Sequence, residues 1–128
     1  MMRLSPFIKI ILTTTALLFT GRFCAAQHVG EQQSKKAVYD LIKRIVPKFA
    51  DKFEVAFITT ANNKDGFELE SRGGKTILRG NNGVAVASAL NYYLKNYAHC
   101  DITWNGTNLN LPNMLPLVPK KVKKATPS

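Results

Sequence analysis

From Ser34 to Pro112 the apolar positions follow two rhythms, one helical and one of strict alternation, and the switches between them mark the elements. Val38, Leu41, Ile42 and Ile45 recur on one face of a helix behind Ser34, a residue whose hydroxyl suits an N-cap. Pro47 should end that helix, because proline has no N–H to continue the ladder. Phe53, Val55 and Phe57 then alternate with Glu54 and Ala56, which predicts a first strand. Turn residues from Asn62 to Gly66 lead into Phe67 and Leu69, which alternate with Glu68 and Glu70. Gly73-Gly74 supplies positive φ angles for a tight turn into Thr76–Arg79, so these two runs read as a β-hairpin.

Gly80-Asn81-Asn82-Gly83 interrupts the pattern before the strongest helix, expected over 84–97. Its apolar stripe reads as Val84, Ala87, Ala89, Leu90, Leu94 and Tyr97, with Asn91, Lys95 and Asn96 outward. Beyond His99-Cys100, Ile102 and Trp104 alternate with polar neighbours as a further strand. Asn105-Gly106 turns it, and Leu109 and Leu111 predict a partner strand that ends at Pro112. Helix, three strands, helix and two short strands make an α+β domain: a small two-layer fold, a mostly antiparallel sheet with two helices on one face. Residues 114–128, with Pro116, Pro119 and Pro127 around a basic run, read as an exit linker.

The sequence ahead of this domain has another character. Arg3 and Lys9 precede an apolar run from Ile10 to Phe19, followed by small residues at Ala25 and Ala26. That is the layout of a cleaved signal peptide over 1–26, and the run falls short of the ~20 residues that span a bilayer. An exported, periplasmic or extracellular protein without a permanent membrane anchor is therefore expected, led by a short disordered stretch over 27–33. Three of the 18 Lys+Arg (Arg3, Lys9, Arg22) would leave with the leader, and so would Cys24. The remainder stays basic against its 8 Asp+Glu, with Lys120, Lys121, Lys123 and Lys124 crowded near the end.

Candidate chemistry is sparse. Glu68 and Glu70 are paired carboxylates, but the alternation puts both opposite Phe67 and Leu69, on the face expected to meet solvent. The Gly80–Gly83 loop precedes a helix N-terminus as anion sites do, yet it lacks the Gly-Lys-Ser/Thr of a P-loop and reads as an Asn-capped turn. The lysine run has no interleaved aromatics to stack on bases, so a nucleic-acid partner is not expected. His99 and Cys100, with only His28 besides, form neither a metal-ligand set nor a nucleophilic triad, so the reading includes no metal and no cofactor. Tyr92, Tyr93, Tyr97 and Trp104 either build the core or form a platform for sugar rings, and Trp104 is the candidate carbohydrate contact. Asn105-Gly106-Thr107 matches a glycosylation acceptor, a weak three-residue pattern.

The stretch from Gly80 to Lys95, then His99-Cys100, Thr103-Trp104-Asn105-Gly106 and Leu109-Asn110-Leu111-Pro112, resembles the N-terminal domain of the alpha-N-acetylglucosaminidases, glycoside hydrolase family 89. Looser similarity runs from Ala37 to Pro127. The resemblance implies an α+β domain over 34–113 that precedes a TIM-barrel catalytic domain, in enzymes that remove terminal α-linked N-acetylglucosamine by means of two barrel glutamates. Such a barrel takes about 250 residues. No catalytic residue is therefore assigned to this chain. The expectation is a non-catalytic accessory domain, truncated before a barrel that would be its partner, with N-acetylglucosamine-containing glycans as the substrate class. The alternative is a free-standing secreted carbohydrate-binding module.

Overall fold

The computed structural model describes residues 23–60 and 64–125. Most of the leader, including its basic start and apolar run, lies outside the described residues. By their contacts Gln33–Ser128 form one unit and Met1–Gln32 another.

Helix α1 runs Phe23–Ile45. It therefore includes the stretch 27–33 that the polar composition suggested was disordered, and Ser34 lies inside the helix instead of capping it. Side chains from Gly30 to Ala37 are exposed, and burial begins at Val38, followed by Ile42 and Val46. The apolar stripe thus reports where α1 packs. It does not report where α1 starts, because helix without a packed face leaves no hydrophobic period to read.

A 3-10 turn over Pro47–Lys52 opens with its proline in the first turn and delivers the chain to β1 (Phe53–Phe57). Strand β2 (Gly66–Arg72) and strand β3 (Lys75–Gly80) form the expected hairpin, with Gly73 and Gly74 at φ 59° and 74° in its turn. Helix α2 (Gly83–Asn96) follows, then a separate two-stranded hairpin of β4 (Asp101–Thr103) and β5 (Gly106–Asn108). Strand β6 (Val122–Ala125) closes the order.

The main sheet runs β1-β3-β2-β6 and is mixed. β1 pairs parallel with β3, while β2 pairs antiparallel with both β3 and β6. The α+β class stands; two of the three pairings in this sheet are antiparallel, as expected, and the parallel pairing of β1 with β3 makes it mixed. Strand β6 is formed by residues that had read as linker. It is an edge strand carrying Lys123 and Lys124, and such lysines discourage pairing with a further chain.

Register fixes which side chains meet. Val55, Leu78 and Leu69 lie in line across β1, β3 and β2, and each is at most 1% exposed. With Phe53 and Phe67 they form one cluster with Val86, Ala89, Leu90, Tyr93 and Leu94 of α2 and Val38 and Ile42 of α1. The buried stripe of α2 is thus rotated from the expected one. Val84 is 69% exposed, and Tyr93, which the sequence reading left undecided, is at its centre. Gly80 lets α2 come this close: a Cβ there would lie 2.7 Å from the Val86 amide nitrogen. The helix ends at Tyr97, whose N–H donates to the Tyr93 carbonyl, and His99 then takes a left-handed φ of 54° to reverse the chain.

Candidate functional site

Because side chains alternate along a strand, the second face of the main sheet carries Glu68 and Glu70 of β2, Ile77 and Arg79 of β3, and Lys123 of β6. Glu68 faces Lys123 across the β2–β6 ladder and also accepts a 2.7 Å contact from Lys121 Nζ. Glu70 accepts from the Arg79 guanidinium, and Arg72 lies 3.8 Å away. The Lys121 hydrogen bond holds the Glu68 carboxyl below the usual carboxylate range, and the Arg79 hydrogen bond does the same for Glu70. A general acid needs the opposite perturbation, a carboxyl whose proton is retained near neutral pH. These two acids instead tie β6 and β3 to β2. They are also less solvated than the alternation implied, with the Glu68 side chain only 13% exposed beneath its lysine partners.

The lysine run is divided by the same alternation. Lys121 and Lys123 serve Glu68, while Lys124 lies on the other side with Nζ 5.1 Å from the Tyr92 ring centroid. A basic patch for phosphates would need these charges on one surface.

The Gly80–Gly83 loop is clamped by its own side chains. Asn82 Oδ1 accepts from the Ala85 amide at 2.8 Å and so caps α2. Asp65 Oδ1 accepts from the side-chain amides of both Asn81 and Asn82, and Asn81 Oδ1 accepts from the Gly66 amide. A carboxylate therefore already occupies the neighbourhood that an anion would have to enter. The asparagine-capped turn is the reading this geometry supports.

The four aromatics do not form one platform. Tyr93 is fully buried, edge-on to Phe53 at 5.4 Å and stacked on Tyr97 at 5.8 Å. Burial pushes its phenol above the usual tyrosine range, and its hydroxyl donates to the Pro116 carbonyl at 2.6 Å. Tyr92 and Tyr97 are half-buried against the same core. Trp104 stands apart in the turn between β4 and β5, 101% exposed, in the turn and not in the strand where the alternation had put it. The partner of β4 is the polar Gly106–Asn108, and not the stretch with Leu109 and Leu111, two leucines that follow the hairpin and lie half-buried against the core. Cys100 is buried, its thiol pushed up by that burial, beside an exposed His99. Among the described residues no group of three or more His, Cys, Asp or Glu is placed to hold a metal ion.

Comparison with known proteins places the chain in a family. Residues 36–117 match the family described as the alpha-N-acetylglucosaminidase (NAGLU) N-terminal domain. The human alpha-N-acetylglucosaminidase is 35% identical over 94% of this chain, which spans 17% of that enzyme. A family 89 glycoside hydrolase from Clostridium perfringens, solved in complex with 2-acetamido-1,2-dideoxynojirmycin, superposes with a TM-score of 0.76 at 34% identity. The match covers 83% of this chain and 12% of that one, and the same holds for that hydrolase with PUGNAc. The chain thus spans less than a fifth of the relatives it matches.

Proposed function

We propose that this chain, which belongs to the alpha-N-acetylglucosaminidase N-terminal domain family, is an exported, non-catalytic accessory domain of an alpha-N-acetylglucosaminidase-like glycoside hydrolase. Its role is to pack on and support the catalytic barrel. The observation that carries this reading is the asymmetry of the match, 94% of this chain against 17% of the human enzyme. The engagement of Glu68 and Glu70 in holding the sheet adds to it. Export rests on the leader pattern of 1–26.

Two measurements test it. Purified chain offered a chromogenic α-N-acetylglucosaminide should release no product, and turnover by the chain alone would overturn the accessory assignment. Mass spectrometry of the exported protein should find it beginning at Gln27; an intact Met1–Ala26 segment would remove the export reading. An aromatic ring open to solvent can also stack on a sugar, so the alternative is a carbohydrate-binding module that uses Trp104. Titration with N-acetylglucosamine-ended glycans, with Trp104→Ala as control, tests that alternative.

A further inference from the structure

The β4–β5 hairpin is a structure without an evident reason to stand alone. It has three residues per arm, is not part of the main sheet, and every residue from Thr103 to Asn108 is exposed. Isolated two-stranded hairpins are marginal in water. This one is anchored at its base by the half-buried Ile102 and closed by a hydrogen bond from Thr103 Oγ1 to the Gly106 carbonyl at 3.0 Å. At its tip it holds the single tryptophan of the chain, with the whole ring in solvent. Leaving so large an apolar surface uncovered forgoes the burial of a side chain that can remove 150–250 Å² from water.

We infer that Trp104 is the docking anchor of this domain, a knob that inserts into a socket on the catalytic part of a family 89 glycoside hydrolase. This rests on the accessory-domain reading and adds the surface that the accessory role requires. Three observations favour a protein occupant over a sugar. The ring is convex and solitary, with Tyr92, Tyr93 and Tyr97 committed to the core, so no second aromatic among the described residues flanks it. Full exposure means that no wall of polar groups surrounds the ring, whereas small-molecule sites are concave with convergent polar groups. Finally, in the matched relatives this region accompanies a remainder several times its size, which supplies an occupant. Tryptophan is also the residue type most enriched among side chains that dominate protein interfaces.

The experiment co-expresses the full chain with the Clostridium perfringens hydrolase deleted for its own matching segment. It follows co-purification, α-N-acetylglucosaminidase activity and the emission of Trp104. Wild type should co-purify and raise the recovered activity. Trp104→Ala should weaken association at least about tenfold, the loss expected for a hot-spot side chain, and Trp104→Phe should recover part of it. Val84→Ser, in the first turn of α2 and 69% exposed, is the apolar control and should change nothing. Full association by Trp104→Ala overturns the anchor but leaves the accessory reading standing. Failure of wild type to associate overturns both. A Trp104 emission shift with N-acetylglucosamine-ended glycans and none with the enzyme assigns the ring to sugar binding instead.

Discussion

Tyr93→Phe should destabilise this domain measurably although it removes a single oxygen, and the reason lies in residues 116–118. The Tyr93 hydroxyl donates to the Pro116 carbonyl at 2.6 Å, and Ser71 Oγ accepts from the Val118 amide at 2.9 Å. Ser71 is also 3.5 Å from the buried Thr76 hydroxyl. Helix α2 and strand β2 thus hold one short extended segment between them, with Val118 buried in the core. Phenylalanine keeps the ring contacts to Phe53 and Tyr97 but leaves the Pro116 carbonyl without its donor, which costs about 1–2 kcal/mol at a part-buried site. A domain of this size loses about 4–8 °C in Tm per kcal/mol, so thermal unfolding followed by circular dichroism should show a drop of at least about 4 °C. Ser71→Ala should cost about as much, and the double variant less than the sum, because either change alone frees the same segment. Tyr92→Phe, where the ring contacts to Phe67 and Lys124 are retained, should stay within about 0.5 kcal/mol of the parent. A Tyr93→Phe protein melting with the parent, or full additivity with Ser71→Ala, would show that the segment is not held this way.

Stability should fall in acid as pH drops below the ordinary glutamate value of 4.5, because Glu68 and Glu70 titrate lower when folded; their contribution is present above that pH and lost through the folded pKa. Glu68→Gln should flatten that dependence in urea titrations across pH 3–6, and an unchanged slope would refute the Lys121 pairing. At the alkaline end the raised Tyr93 phenol gives the opposite sign: stability is intact below the ordinary tyrosine value of 10.0 and declines as pH climbs through the folded pKa. Gly80→Ala should cost about 1–3 kcal/mol, since α2 must move off the sheet to admit a methyl group. An unchanged urea midpoint would contradict that close approach. Cys100 should resist a thiol reagent in the native protein and react at once in denaturant, and fast native labelling would mean that its burial is wrong.

The parts of the fold that were legible in the sequence share one property, that local chemistry determines them. Gly73-Gly74 announces a tight turn whatever surrounds it, and the alternation of Phe67 and Leu69 marks the inner face of β2 in any pairing. Direction was not legible, because Phe53, Val55 and Phe57 alternate identically whether β1 lies parallel or antiparallel to β3. The phase of α2 was misread for a similar reason. Apolar residues at Val84, Ala85, Val86 and Ala87 support several stripes, and the close approach at Gly80, a tertiary fact, selects the one through Val86 and Tyr93.

The segment after Pro112 hid its structure most completely, and its chemistry explains why. Prolines and lysines are the usual marks of a solvated linker, yet Pro116 and Val118 are held through backbone groups, a carbonyl and an amide that any residue type carries. Strand β6 shows no apolar alternation because it is an edge strand, Val122 half-buried among exposed lysines, and its outer-face partner is a carboxylate, not a hydrophobic core. The signal that could have located it was on another strand. Glu68, an acid set between Phe67 and Leu69, pairs with cations, and Lys121 and Lys123, two residues apart as strand geometry requires, reach it together. Trp104 is the reverse case. The sequence singled it out, and its full exposure shows that it is not held by packing within the described domain.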